Sequence, residues 1–310
     1  MVLGMTQRIL VTGGAGYIGS VLVPALLAHG HHVTVLDRFL FDDTSLLACC
    51  ASPGFVVVRG DCRDERTMAA LLPDHDVIIP LAALVGAPLC DVDRIGAVST
   101  NLDAIRLLCR LAAPSQRILF PTTNSGYGIG RPGEPCTETS PLAPVSLYGE
   151  TKVEAERVVL DRGSAITFRL ATVFGASPRM RLDLLVNDFV YRAVTDKAIV
   201  LFESHFIRNF IHVRDVARAF LHGLEQFAQM QGRAFNVGLD DANLTKRELC
   251  ERIAAHVPGF TIIDAPIGRD PDQRNYIVSN ARLAATGFQP TWSLDDGIRE
   301  LVIAYRMVRK

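Results

Sequence analysis

The chain has 310 residues, which at roughly 150 residues per domain predicts two modest domains or one large α/β domain. Lysine and arginine number 32 against 33 aspartates and glutamates, a net charge of -1 without a long run of either sign, which argues against a nucleic-acid or anionic-membrane partner. Charged residues at 21% and apolar residues at 49% describe a compact folded protein and set disorder aside.

The charge-free stretch Val77 to Cys90 is interrupted by Pro80 and Pro88 and falls short of the roughly 18 apolar residues of a membrane-spanning helix. The N-terminus enters an apolar strand at Arg8-Ile9-Leu10-Val11 without a charged region, apolar core and cleavage site in sequence. The expectation is a cytoplasmic protein with no signal peptide and no membrane contact. Seven cysteines, adjacent only at Cys49 and Cys50 and without a C-x-x-C pair, predict reduced, mostly buried thiols, and neither a disulfide framework nor a metal site.

In chain order, short β-branched runs alternate with amphipathic stretches as far as Leu170. Ile9 to Thr12, Val33 to Leu36, Phe55 to Val58, Val77 to Ile79, Ile118 to Phe120 and Ala165 to Leu170 read as strands, with helical spacing between them. The strands are nearly continuously apolar, as a parallel sheet covered by helices on both faces requires. The predicted fold is α/β and doubly wound. After Gly175 the rhythm changes: Ser177-Pro178-Arg179-Met180-Arg181 leads into a helical stretch to Thr195, then shorter elements with more turn residues. Residues 1–174 are expected to form the first domain and 175–310 a smaller α/β domain. The chain is expected to return to the first sheet near 210–225.

The first strand runs straight into Thr12-Gly13-Gly14-Ala15-Gly16-Tyr17-Ile18-Gly19-Ser20, a G-x-x-G-x-x-G spacing placed between strand and helix. The early glycines let the backbone turn tightly and approach a pyrophosphate. Gly19 lets the helix pack close to the sheet while its N-terminal N–H groups face the phosphates. Gly13, Gly16, Tyr17, Ile18 and Gly19 are thus the expected contacts of a dinucleotide on a Rossmann sheet. Asp37 ends the second strand, where a carboxylate accepts from the adenosine ribose and repels a 2′-phosphate, which selects NAD; Arg38 beside it softens that repulsion. Asp61, with Cys62 next to it at the sheet's carboxyl edge, is a candidate acceptor for the adenine amino group.

Tyr148 and Lys152 stand at i and i+4 at the start of a long amphipathic segment, on one helical face about 6 Å apart. A tyrosine of pKa about 10 is a poor base at neutral pH, but a neighbouring ammonium and a cationic nicotinamide both favour the phenolate. The fifth strand ends Phe120-Pro121-Thr122-Thr123-Asn124-Ser125, bringing hydroxyls to the sheet edge where ligands bind in such folds.

With the glycine loop, Asp37, Asp61, Leu81-Ala82-Ala83, Asn101, Thr122-Thr123, Tyr148/Lys152, Arg169 to Gly175 and Arg208 to Asp215 in view, the whole chain resembles the extended short-chain dehydrogenase/reductase family, in its nucleotide-sugar epimerase/dehydratase branch. The resemblance implies Tyr148 as the base for a sugar hydroxyl, Lys152 as the holder of the nicotinamide ribose, and Thr123 as the hydroxyl that orients the substrate. It implies cofactor contacts from Thr122, Leu81, Ala82 and Ala83, cover of the nicotinamide by Leu170 to Val173, and a supporting place for Asn101. Pro80 stands where the family often has histidine. A nucleotide-diphosphate sugar would be held by Thr123, Asn124, Thr172, Arg179, Arg181, Asn187, Arg208 and Arg274, and a homodimer would form through the helices of Asn101 to Leu111 and Tyr148 to Leu160.

Such enzymes oxidise a sugar carbinol, usually at C4. The dehydratase branch carries acidic residues directly after the catalytic Thr, and here Asn124-Ser125 follow, so epimerisation ranks above 4,6-dehydration. The runs Pro121 to Gly130 and Ser177 to Phe189 also resemble bacterial enzymes that oxidise GDP-manno-heptose at C4 and release a keto sugar. A non-catalytic NAD-binding protein is disfavoured by the intact Thr123, Tyr148 and Lys152. Cys90 reads as a buried structural thiol before it reads as a second acid or base.

Overall fold

The computed structural model describes residues 6–41, 44–131, 133–265 and 274–307. In chain order its strands are β1 Arg8–Thr12, β2 His32–Asp37, β3 Phe55–Arg59, β4 Val77–Pro80, β5 Arg117–Thr123, β6 Ala165–Leu170, β7 Thr172–Phe174, β8 Ala198–Leu201, β9 Ile207–His212, β10 Arg233–Val237, β11 Asn243–Thr245 and β12 Thr261–Asp264.

Seven of these make one sheet in the order β10-β6-β5-β4-β1-β2-β3, and every neighbouring pair is parallel. The chain starts in the middle, walks outward to β3, then crosses to β4 on the other side of β1. That reversal opens a crevice at the carboxyl ends of β1 and β4, where Thr12 and Pro80 stand in register.

Alternation along β1 divides the core between the two faces. Ile9 and Val11 pack with Leu22 and Leu26 of the helix Gly19–Ala28, while Leu10 packs with Leu107 and Leu108 of Ala104–Leu111 and Val159 of Leu147–Asp161. All three β1 side chains are wholly buried, each contributing on the order of 1.5–3 kcal/mol.

β6 and β7 are one strand interrupted at Ala171, whose N–H turns to the Val237 carbonyl at 2.9 Å. Beyond that point the chain leaves the main sheet, and β7 pairs with β9 in a small sheet of order β11-β9-β7. The strand near Phe210 therefore does not rejoin the first sheet; β10 does, parallel to β6. Between them the helix Val213–Glu225 packs on the helix Gly19–Ala28. No helix among the described residues is long and apolar enough to cross a membrane.

Candidate functional site

The glycine loop sits at the crevice and is shaped by contacts that exclude a side chain. Gly13 has φ +72° and donates to the Leu36 carbonyl at 2.8 Å; a Cβ there would lie 2.5 Å from the Ala82 nitrogen. A Cβ on Gly19 would collide with the Gly14 carbonyl. The helix that begins at Gly19 has no side-chain N-cap, and among the described residues the N–H groups of Tyr17 and Ile18 make no hydrogen bond. Unpaired donors at the positive end of a helix fit a pyrophosphate.

Asp37 is aimed at the same turn. Its carboxylate accepts from the Ala15 N–H at 2.9 Å and the Phe39 N–H at 2.8 Å, which leaves lone pairs for a ribose diol. Asp61 is held in the fork of Arg63, with its nearest oxygen 2.6 Å from Nη2, and Arg38 approaches at 3.5 Å; the Arg63 hydrogen bond first, and both charges, keep its pKa low. Arg38 thus leans toward Asp61, and an adenine amino group would share that carboxylate with Arg63. Burial pushes the neighbouring Cys62 thiol up to about 12.

The opposite wall is the run after β4. Leu81 donates to the Thr12 carbonyl at 2.8 Å, tying Leu81-Ala82-Ala83 to the glycine turn. Asn101 grips Leu84 with both ends of its amide, accepting from the N–H at 2.8 Å and donating to the carbonyl at 2.9 Å. It does so from a π-helical turn, Ser99–Asp103, a local irregularity common at functional sites. Cys90 is wholly buried, donates to the Leu84 carbonyl at 3.3 Å, and is pushed up to about 11 by burial, as fits a structural thiol.

Tyr148 and Lys152 occupy the first turns of the helix Leu147–Asp161, which Ser146 caps by accepting from the Gly149 N–H. Burial raises the Tyr148 pKa, and the charges of Arg181 and Arg274 act against it. Thr123, the last residue of β5, donates to Ser125 Oγ at 2.9 Å. Lys152 is almost fully buried, with Nζ 4.0 Å from the centre of the Phe120 ring, and burial brings its pKa down to about 7 against the opposing pull of Glu156. Among the described residues its ammonium donates to no acceptor, so a ribose hydroxyl there has a donor waiting.

The cationic residues separate into two groups. Arg274 donates to Ser125 Oγ, and its own carbonyl accepts from Arg208, whose guanidinium is almost wholly buried and also bonds the Ile207 carbonyl at 3.0 Å. Arg181 pairs with Asp183 and still acts on the Tyr148 phenol. Arg179 is turned toward the glycine loop, its N–H meeting Ser20 Oγ at 3.4 Å and its guanidinium covering the Phe41 ring at 4.5 Å, while its charge also acts on Asp183. Asn187, wholly buried, bonds the Gly175 N–H, the Tyr17 hydroxyl and the Arg181 carbonyl, so its amide is engaged by the wall of the site. Leu170 and Val173 are buried; Thr172, half-buried, pairs with Phe210. Asn124 is 1% exposed, and neither amide atom has a partner among the described residues.

Three features escape the sequence pattern. The Tyr17 hydroxyl donates to the Gly175 carbonyl at 2.7 Å, joining the glycine loop to the chain after β7; nothing local to either segment signals it. Ser125 links Thr123 to Arg274, which only the fold brings together. Glu156, one turn after Lys152, is paired with Arg169 of β6, and the i+4 spacing from Lys152 was the available signal.

The sequence profile described as the NAD dependent epimerase/dehydratase family matches residues 9–238. Low-salt glycan biosynthesis protein Agl12 of Haloferax volcanii is 31% identical over 96% of this chain and 98% of its own length. UDP-glucose 4-epimerase of Corynebacterium glutamicum is 28% identical over 81% of each. Among solved structures, UDP-glucose 4-epimerase of Thermus thermophilus in complex with NAD superimposes with a TM-score of 0.83 at 25% identity, covering 97% of this chain and 99% of that one. DesIV, the dTDP-glucose 4,6-dehydratase of Streptomyces venezuelae with NAD bound, gives 0.85 at 26% identity over 97% and 98%. The sheet, the glycine cradle and Asp37 fit the dinucleotide that these neighbours hold. The chain belongs to the NAD-dependent epimerase/dehydratase family, enzymes of the extended short-chain dehydrogenase/reductase type, and its cofactor is NAD.

Proposed function

We propose that this enzyme epimerises a nucleotide-diphosphate sugar by reversible oxidation at C4. One observation carries the reading: the Arg181 and Arg274 charges act on the Tyr148 phenol, and the two positions after Thr123 carry an amide and a hydroxyl rather than carboxylates. Tyr148 thus stands as a base beside cations, with no carboxylate directly after Thr123. That arrangement suits a reaction needing a single base, whereas loss of water across C5 and C6 needs a second acid–base pair.

Tyr148, as phenolate, takes the proton of the C4 hydroxyl, and Thr123 orients that hydroxyl by hydrogen bonding. NAD, when bound, supplies the hydride acceptor at C4 and the donor that restores it. Lys152 holds the cofactor's ribose and favours the phenolate. Arg181, Arg208 and Arg274 are the cations proposed to hold the diphosphate, since planar guanidiniums match phosphate oxygens. Epimerisation then requires the 4-keto sugar to turn and receive the hydride on its other face, while Tyr148 returns the proton.

The test is to mix holoenzyme with GDP-, UDP-, ADP-, CDP- and dTDP-sugars, heptoses included, and follow the sugar by NMR alongside nicotinamide absorbance. A C4 stereoisomer without net reduced cofactor is expected. Accumulation of reduced cofactor with a 4-keto sugar would instead make the enzyme a 4-dehydrogenase.

A further inference from the structure

The chain after β7 doubles back over the glycine loop and is fastened to it. Tyr17 bonds the Gly175 carbonyl, Ser177 donates to the Tyr17 carbonyl at 2.8 Å and sits 2.8 Å from Ser20 Oγ, and the Arg179 N–H reaches Ser20. From the other side, the chain after β2 is fastened to the same turn. Asp37 accepts from Ala15, and Ser45 donates to the Ala15 carbonyl at 2.9 Å. These two segments, remote in sequence, meet where the Arg179 guanidinium covers the Phe41 ring at 4.5 Å. Phe41 is 72% exposed, so core packing does not hold it there.

We propose that Arg179 and Phe41 form a clasp that retains the dinucleotide, which leaves only when this contact opens. Arg179 then serves the cofactor rather than the substrate diphosphate expected from the sequence. A cation on the segment fastened to Tyr17 and Ser20 adds attraction for the pyrophosphate, and the Phe41 ring, with the Met180 carbonyl 3.2 Å from Nη1, is among the contacts that position it. The retention rests on the two loops and on NAD dependence alone. Its use rests on the proposed epimerisation: a redox-neutral cycle consumes the reduced cofactor where it was made, so exchange is unnecessary.

The experiment loads the holoenzyme with isotopically labelled NAD, chases with unlabelled NAD, and counts bound label over time in wild type, Arg179→Ala, Phe41→Ala and the double variant. Slow exchange is expected in wild type. Each single change should speed release by about threefold to thirtyfold, the range for one cation–π contact, and the double by no more than the faster single. UDP and GDP binding to the holoenzyme should stay within about twofold of wild type. The clasp is overturned by rapid exchange in wild type, by unchanged release in both single variants, or by loss of nucleoside diphosphate binding in Arg179→Ala with NAD retained. Phe41→Ala removes an exposed ring and keeps the fold. Failure of epimerisation would appear in the sugar product and leave these release rates untouched.

Discussion

Arg169 closes a fork on Glu156: Nη2 and Nε stand 2.6 Å and 3.0 Å from the same carboxylate oxygen, and both side chains are less than a tenth exposed. Arg169 goes on to the Tyr127 hydroxyl at 3.0 Å, and Tyr127 to Asn236 at 2.7 Å, so the pair anchors a buried network behind Lys152. Removing one partner strands the other charge. Glu156→Ala should cost about 3–5 kcal/mol of stability, read by urea denaturation. A loss below about 1 kcal/mol would mean the network reorganises without its carboxylate.

Lys152 makes stability depend on pH. Its folded pKa, brought down to about 7 by burial, lies below the unfolded value of 10.5, so between those limits the unfolded chain binds more protons and stability rises with pH. Lys152→Met lacks this dependence. In cofactor-stripped protein the variant's advantage over wild type should therefore be greatest at pH 7 and below. It should shrink by up to about 1.4 kcal/mol per pH unit toward pH 10. Parallel stability curves for the two proteins would refute the buried-lysine account.

The central sheet was legible because its strands are short apolar runs, and β6 ends where the pattern does, at Leu170. Long-range pairings were not. β10 reads like any other buried strand, and the reason it rather than β9 completes the sheet is the break at Ala171, which sends β7 and its partner elsewhere. The glycine loop, Asp37 and the Tyr148/Lys152 pair announce themselves by spacing. The cations do not: Arg179 and Arg181 are two residues apart, yet one meets Phe41 and the other acts on Tyr148, a divergence that no local pattern signals.

Arg181 and Arg274 both lower the Tyr148 pKa against the effect of burial. Losing either guanidinium raises it, so the phenolate forms only at higher pH. Arg181→Met and Arg274→Met should each move the acid limb of the kcat profile to higher pH at saturating substrate, with activity recovering on the alkaline side. A rise in KM with an unmoved kcat profile would assign the guanidinium to binding alone.

Gly13→Ala places a methyl against the Ala82 backbone at a φ of +72°. The strained conformation alone costs about 1–3 kcal/mol, and relief of the clash must displace the wall opposite the glycine turn. The variant should melt at lower temperature and lose NAD affinity at least about tenfold, measured by calorimetric titration. Retained affinity would show that the cradle tolerates a Cβ.

The central claim is oxidation and re-reduction at C4 with Tyr148 as the only base, and mass and NMR analysis of the sugar formed by holoenzyme in D2O tests it most directly. The account predicts the C4 epimer with its carbon-bound hydrogens intact, because the hydride never reaches solvent. A product lacking the elements of water and carrying deuterium at C5 would contradict it.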